Sequence, residues 1–481
     1  MKIRDIVRTA VIRTNPYWPF SRLNRLPYYL AIQAFVQLCK RFPAIKSVYL
    51  RHGLTETHWV PALSDIDLAL ITDSKLSTEE EFSFLNSFWN HHDRIKKLFP
   101  MLGEIEILND ENIKLWTQFD ISGYRSMGWK LMYGLESERN PFPVNPEILA
   151  ADSVNYALRF YLGYFLDRFD SRGEESSYLT SQDLKRLVVK ILRSLNYVDE
   201  KDSKKQIVMG DPDDTTDMLV RALTGLEKGV RFITCNYDNA GSRQNDPVWL
   251  SDLDSHNNVV FDNRGFDIKA AAPWDEVIQS IILNYDKRVF IVLKDDLEAS
   301  ALKHCVAAIR AVLAQEKTMP VITSSRLFNY MLRHYDPFEY TRLVTHRIVA
   351  YGQDMVLDIP PPDKEAFVSY LIRQTPNVLT FPQCHTLISP PHPNWFSGKE
   401  LDVIMNRFLF VKLYLDTGVI KPWHDELLVE CQKRYPEYFI KFSALKEAPD
   451  HAAGQECFGL LKNIANDVHN RLANSPVGEL Q

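Results

Sequence analysis

Apolar and polar positions in the first 140 residues alternate between helical and strand periods. Across residues 28–41 the apolar side chains recur at three- and four-residue spacing, as in a helix with one buried face. Leu26-Pro27 just ahead puts proline at a permitted first-turn position. Val48-Tyr49-Leu50 is a short β-rich run. After a loop, residues 66–71 (IDLALI) are nearly all apolar, as expected of a strand covered on both faces. Ser77 followed by Glu79, Glu80 and Glu81 reads as a capped helix start, and that helix is expected to reach Leu98, ahead of Pro100. Residues 104–108 (EIEIL) alternate with period two and make a third strand. Helix, strand, loop, strand, helix, strand is a small α/β unit.

Further on, residues 150–170, 181–195 and 216–230 carry helical periodicity. Polar stretches at 199–205 and 236–245 read as loops. A second mixed region follows, with a strand at 288–293 (RVFIVL), a helix at 298–315 and an extended piece at 319–323. Residues 398–435 look helical with an interruption at Gly418. Asn15-Pro16-Tyr17-Trp18-Pro19-Phe20 suggests that the chain opens as an irregular arm. The expected division is an arm (1–27), an α/β domain (28–145), a helical domain with polar loops (146–255) and a mixed, mainly helical C-terminal region (256–481). No internal repeat is evident.

Composition narrows the class. The 481 residues are 45% apolar and 25% charged, enough to bury a sizeable core in two to four domains. Six cysteines with no CxxC pair read as reduced thiols, and the charged first turns do not make a secretory signal; both favour the cytoplasm. The apolar run at 28–39 is too short to span a bilayer, so no membrane partner is expected. The net charge of −6, with Lys and Arg spread along the chain, argues against a long nucleic acid as partner. It leaves room for a single nucleotide, which needs only a metal and a few cations.

The stretch that carries chemistry is 48–71, VYLRHGLTETHWVPALSDIDLALI. Gly53 ends the first strand, where a missing Cβ lets backbone approach a phosphate. Twelve residues later Ser64-Asp65-Ile66-Asp67 opens the next strand. Alternation puts Asp65 and Asp67 on one face, where two repelling carboxylates invite a hard divalent cation such as Mg²⁺. Glu104 and Glu106 share a face of the third strand, and one of them could complete a triad able to hold two ions.

This pattern resembles the polymerase-β-like nucleotidyltransferase superfamily, in particular its small bacterial and aminoglycoside nucleotidyltransferase members. The shared features are a strand-ending glycine, a spacer, Asp-x-Asp, and an acid on a later strand. Residues 128–134 (GWKLMYG) are similar to the family's stretch ending in Leu-Tyr-Gly, and the whole resemblance covers little more than one hundred residues. It implies a mixed sheet with flanking helices followed by helices over the nucleotide. It also implies transfer of a nucleoside monophosphate from a nucleoside triphosphate to a hydroxyl, with release of pyrophosphate. Asp65 and Asp67 would be metal ligands, Glu106 the third acid with Glu104 as its alternative, and Gly53, Leu54, Thr55, Ser64 and Arg51 would line the triphosphate. The acceptor would be a small molecule, with a protein side chain or a tRNA end as alternatives. The chain departs from the family at Leu54, where Ser or Gly is usual, and at His58, where a second glycine is frequent. Those departures admit a different reading, a nucleotide-binding or protein-interaction module without turnover.

Other signals have plainer explanations. Lys185, Arg186 and Lys190 read as a solvated helix face. Cys384, His385 and His392 lack a fourth ligand for zinc. His91-His92-Asp93 sits late in a helix, where a contact with the helix dipole accounts for the histidines.

Overall fold

Two helices open the chain, α1 (Ile3–Thr14) and α2 (Phe20–Cys39). The arm expected to be irregular is therefore largely helical, and Pro27 lies inside α2 instead of opening it. Residues 21–26 contain nothing that resists a helix. The carbonyl that Pro27 cannot serve belongs to Leu23, in a stretch where Leu23 and Leu26 are exposed and water can replace the lost bond.

There follow β1 (Ile45–Leu50), β2 (Ile66–Thr72), α3 (Thr78–Leu98), β3 (Leu102–Asn109), α4 (Asn112–Trp116) and β4 (Lys130–Gly134). The strands form a mixed sheet in the order β3-β2-β1-β4. β2 runs parallel to β3, with α3 as the crossover, and β1 is antiparallel to both β2 and β4. Val48 and Leu50 of β1 and Leu68 and Leu70 of β2 pack on Phe35 of α2 and on Phe82 and Phe88 of α3 in one buried cluster. Each such side chain contributes about 1.5–3 kcal/mol by leaving water. Alternation turns Tyr49, Arg51, Asp67, Ala69 and Glu106 to the opposite face. α3 starts as expected: the Ser77 hydroxyl accepts from the Glu80 N–H, and the Glu80 carboxylate accepts from the Ser77 N–H.

The middle of the chain contains α5 (Pro146–Phe160), which continues through a π turn at Tyr161–Phe165, then α6 (Tyr178–Ser194) and α7 (Thr215–Asn236). A second mixed sheet is built from β5 (Val259–Phe261), β6 (Ile278–Asn284), β7 (Val289–Leu293), β8 (Pro320–Ser324) and β9 (Arg347–Gly352), in the order β5-β9-β6-β7-β8. Between β8 and β9 lie α8 (Ser325–Tyr330) and α9 (Pro337–Thr345). The last stretch is helical and includes α10 (Gly398–Thr417), α11 (His424–Arg434) and α12 (His451–Ala473), with Gly418 breaking the run in the left-handed region at φ +66°. The fold class is thus mixed α/β, two mixed sheets with flanking helices.

The computed structural model describes residues 3–55, 59–118, 126–139, 146–169, 178–195, 215–236, 259–261, 277–284, 288–296, 301, 320–388, 398–446 and 451–473. Nearly all of the helix expected at 298–315, and the loops at 199–205 and 236–245 save Asn236, lie outside them. Contacts divide the chain into two units. One comprises Met1–Pro143, Leu371–Lys421 and Asp425–Gln481; the other comprises Val144–Tyr370 with Pro422–His424.

The first unit is closed by the return of the chain. Lys462 of α12 pairs with Glu81 of α3 at 2.9 Å, both buried, and the Gln383 side-chain amide donates to the same carboxylate at 3.2 Å. Trp89 of α3 donates its indole N–H to the Gln383 carbonyl at 3.1 Å. His92 lies among Phe35, Phe88 and Trp89, and burial pushes its pKa down to about 4. An uncharged ring inside an aromatic cluster replaces the expected contact between a charged histidine and the helix dipole. No helix among the described residues is long and apolar enough to cross a membrane.

Candidate active site

The two aspartates stand at the start of β2, Asp65 just before it and Asp67 as its second residue. Asp65 is exposed and Asp67 half-buried. Beside them the β2–β3 pairing is irregular, Ile66 facing Leu102 and Leu68 facing Ile105, and Gly103 lies in the gap. A Cβ on Gly103 would stand 2.6 Å from Asp67 Oδ1 and 2.7 Å from Asp65 Cβ. Both acids therefore crowd the space left by one missing methyl group. The Glu104 N–H donates to Asp67 Oδ1 at 3.2 Å and fixes that carboxylate.

Glu106 and Arg51, expected to act separately, are partners. Arg51 Nη2 lies 2.6 Å from Glu106 Oε2, and the guanidinium sits 5.3 Å over the ring of Trp129. The pair reaches across β2 at Ala69, which faces Tyr49 on one side and Glu106 on the other; its small side chain leaves the passage open. The Arg51 N–H also donates to the Asp67 carbonyl at 2.9 Å. Glu104 is exposed on the same strand.

Gly53 falls in a 3₁₀ turn, His52–Thr55, past the end of β1. Leu54 in that turn packs against the buried cluster beneath the sheet, which accounts for a large apolar residue at this position. Thr55 is half-buried, and His58 lies outside the described residues. The loop back to the acids is braced from the N-terminal helices. The Tyr28 hydroxyl donates to the Ser64 carbonyl and accepts from the Ala62 N–H, both at 2.8 Å. Arg8 Nε donates to the Ala62 carbonyl at 3.1 Å, and Arg25 lies 5.1 Å over Trp59. The Ser64 hydroxyl accepts from the Val60 N–H at 3.0 Å, closing the turn that delivers Asp65.

Asp65 and Asp67 are thus brought together, whereas Glu106 is bound to Arg51. Among the described residues no three His, Cys, Asp or Glu side chains close into a metal-binding group. A pair of adjacent carboxylates nevertheless fits a Mg²⁺ ion that takes its remaining ligands from phosphate and water. Gly103, Tyr28 and Arg8 escaped the sequence reading. Gly103 carried a usable signal, since a glycine inside a strand marks a close approach.

No family model, curated protein or solved structure matches the chain. Of the other candidates, Lys190 lies 4.0 Å over Phe160, and His385 stacks on Trp89 with its Nε2 3.1 Å from Asp93. Burial pushes the Cys384 thiol up to about 11, which leaves it protonated and a poor metal ligand.

Gly103→Ala tests the cradle. Its added methyl is expected to push the two carboxylates apart while costing the fold only about 1–3 kcal/mol, the usual range for overpacking. Divalent-cation affinity measured by calorimetry should fall at least about tenfold, with the circular dichroism of wild type. Undiminished affinity would separate Asp65 and Asp67 from any metal site.

Proposed function

We propose that this protein is a metal-dependent nucleotidyltransferase that moves a nucleoside monophosphate from a nucleoside triphosphate to a hydroxyl acceptor and releases pyrophosphate. The observation that carries this reading is the placement of Asp65 and Asp67 against Gly103, at the head of a strand otherwise buried along its length. That arrangement offers two carboxylates on a rigid element, drawn together over the space left by a missing Cβ. Asp65 and Asp67 would hold the divalent cation, Mg²⁺ by donor type, which when bound supplies charge neutralisation for the triphosphate. The Glu104 N–H keeps Asp67 oriented, and the braced loop at Ser64 keeps Asp65 in place. The exposed Glu104 is the carboxylate best placed to take a proton from an acceptor, because Glu106 is occupied by Arg51. Arg51 in turn positions β3 against β1. Positioning and charge stabilisation supply most of the rate in such transfers. A cytoplasmic setting belongs to the same reading: among the described residues every cysteine is a free thiol.

A second reading is favoured by the Arg51–Glu106 pair itself. With the third acid tied up, the unit would bind a nucleotide without transferring it.

Calorimetry with each of ATP, GTP, CTP and UTP, in Mg²⁺ and in EDTA, followed by a screen for labelled-nucleotide transfer, tests both. Metal-dependent binding of at least one triphosphate with transfer to an acceptor is the expected result. Binding without transfer would select the second reading, and absence of binding by all four would dismiss both.

A further inference from the structure

The two sheets share more than their class. Omitting the edge strand β5, the second has the order β8-β7-β6-β9, matching β3-β2-β1-β4 in the first. The directions match as well: β6 is antiparallel to β7 and to β9, and β7 is parallel to β8. A four-stranded pattern alone can recur by chance, but here its irregularities recur with it. The β1–β2 register shifts between Ile45 and Ser47, and the β6–β7 register between Ile278 and Ser280. The β1–β4 register shifts between Val48 and Tyr49, and the β6–β9 register between Ile281 and Ile282.

The closing device is also repeated. Gly134 at the end of β4 has φ +88°, and a Cβ there would lie 1.8 Å from the Lys46 carbonyl. Gly352 at the end of β9 has φ +74°, and its Cβ would lie 2.0 Å from the Gln279 carbonyl. Ser47 donates its hydroxyl to the Leu135 carbonyl just past the first glycine; Ser280 donates to the Gln353 carbonyl just past the second. Asn109 at the end of β3 accepts from the N–H of Asn112, three residues on, and Ser324 at the end of β8 accepts from the N–H of Leu327, three residues on, where it caps α8.

The register then states what the second sheet has in place of the acids. Leu50 faces Leu68 in the first sheet and Leu283 faces Val289 in the second, so Arg288 stands where Asp67 does and Asn284 where Arg51 does. Phe290 stands in place of Ala69 and Val321 in place of Glu106. In sequence only residues 285–287 separate Asn284 from Arg288, where a longer segment delivers Asp65, and the Arg288 N–H donates to the Asn284 side chain at 2.9 Å. Phe290, Val292 and Val321 are packed with Phe328, Leu332 and Leu343 in a closed apolar cluster. At its margin the buried Glu339 is held by Asn284 at 2.7 Å and by Arg342 at 2.7 Å.

We infer that the second sheet is a silent copy of the first, its acid-bearing face converted to hydrophobic core, so that the chain carries one nucleotide site where its architecture has places for two. The stoichiometry rests on the nucleotidyltransferase reading; the conversion of the face does not.

Two measurements on the full chain test this. Titration with ATP, GTP, CTP and UTP in Mg²⁺ should show one nucleotide bound per chain, and none in the Asp65→Asn, Asp67→Asn variant. Two per chain, or binding that survives in that variant, would overturn the inference. Separately, Val321→Glu should lower the unfolding temperature by at least about 10 °C, because it places a carboxylate in a closed apolar cluster, whereas Val321→Ile should shift it by no more than about 3 °C. A Val321→Glu protein that melts like wild type would show that the face is open and would overturn the inference by itself. If wild type binds no nucleotide at all, the proposed function fails, while the Val321 pair still decides whether the second face is closed.

Discussion

Asp354→Ala is expected to destabilise the second unit by about 3–5 kcal/mol, the usual cost of leaving one member of a buried ion pair uncompensated. Arg347 Nη2 lies 2.6 Å from Asp354 Oδ2, and its Nε donates to Oδ1 at 2.8 Å, with the arginine side chain wholly shielded from water. The remaining nitrogen, Nη1, donates to the Leu343 and Val344 carbonyls at the end of α9, at 3.2 and 3.4 Å. One guanidinium therefore ties the last turn of α9, the first residue of β9 and the loop after β9 together. Without Asp354 the guanidinium loses the carboxylate that faces its Nε and Nη2 in a site shielded from water. For a unit of this size the unfolding temperature should fall by roughly 6–20 °C, measured by scanning calorimetry. Replacing both partners with apolar residues, Arg347→Met with Asp354→Leu, should recover much of the loss, because the large term is the stranded charge. An Asp354→Ala protein that melts with wild type would refute the burial of the pair.

Asp65→Asn combined with Asp67→Asn is expected to lower nucleotidyl transfer by about 10³-fold or more. A bound cation contributes several kcal/mol to such a reaction, and each 1.36 kcal/mol is a factor of ten. The fold should be kept or gain slightly, since removing both charges relieves repulsion between neighbouring carboxylates. Steady-state transfer with a labelled triphosphate and a thermal melt of the same sample check the two halves together. Lost activity with an unchanged melt is the expected outcome; activity within about threefold of wild type would take the chemistry away from this pair.

The acid pair was legible because the information is local: two aspartates at period two ahead of an apolar run need no knowledge of the rest of the fold. β2 and β3 appear where the pattern put them, extended by one or two residues at their ends. The ion pair between Arg51 and Glu106 was not legible, since it depends on strand order, with β2 lying between the two residues and Ala69 small enough to let them meet. Gly103 was passed over because the acids beside it drew the chemistry to themselves. At the N-terminus, Pro16, Pro19 and the aromatics beside them imitated an irregular arm, although both prolines fall in the link between α1 and α2 and interrupt neither helix. The repeated sheet left traces that are readable afterwards: IKSVYL in β1 and IQSIIL in β6, and Tyr-Gly at the end of both β4 and β9. They are faint because the face that distinguishes the copies changed from acidic to apolar, which erased the pattern on β3 and β8. Helical periodicity after residue 398 was evident, but periodicity cannot name a partner, and α12 packs on a helix formed more than three hundred residues earlier.

That long return has a consequence for synthesis. While the chain is being made, α3 leaves the ribosome with the carboxylate of Glu81 and the ring of Phe82 uncovered, because Lys462 and Phe458 have not yet been translated. At 5–20 residues per second the wait is on the order of tens of seconds. Throughout that time the nascent polypeptide carries an apolar helix flank beside a waiting acid, until α12 is made and covers both.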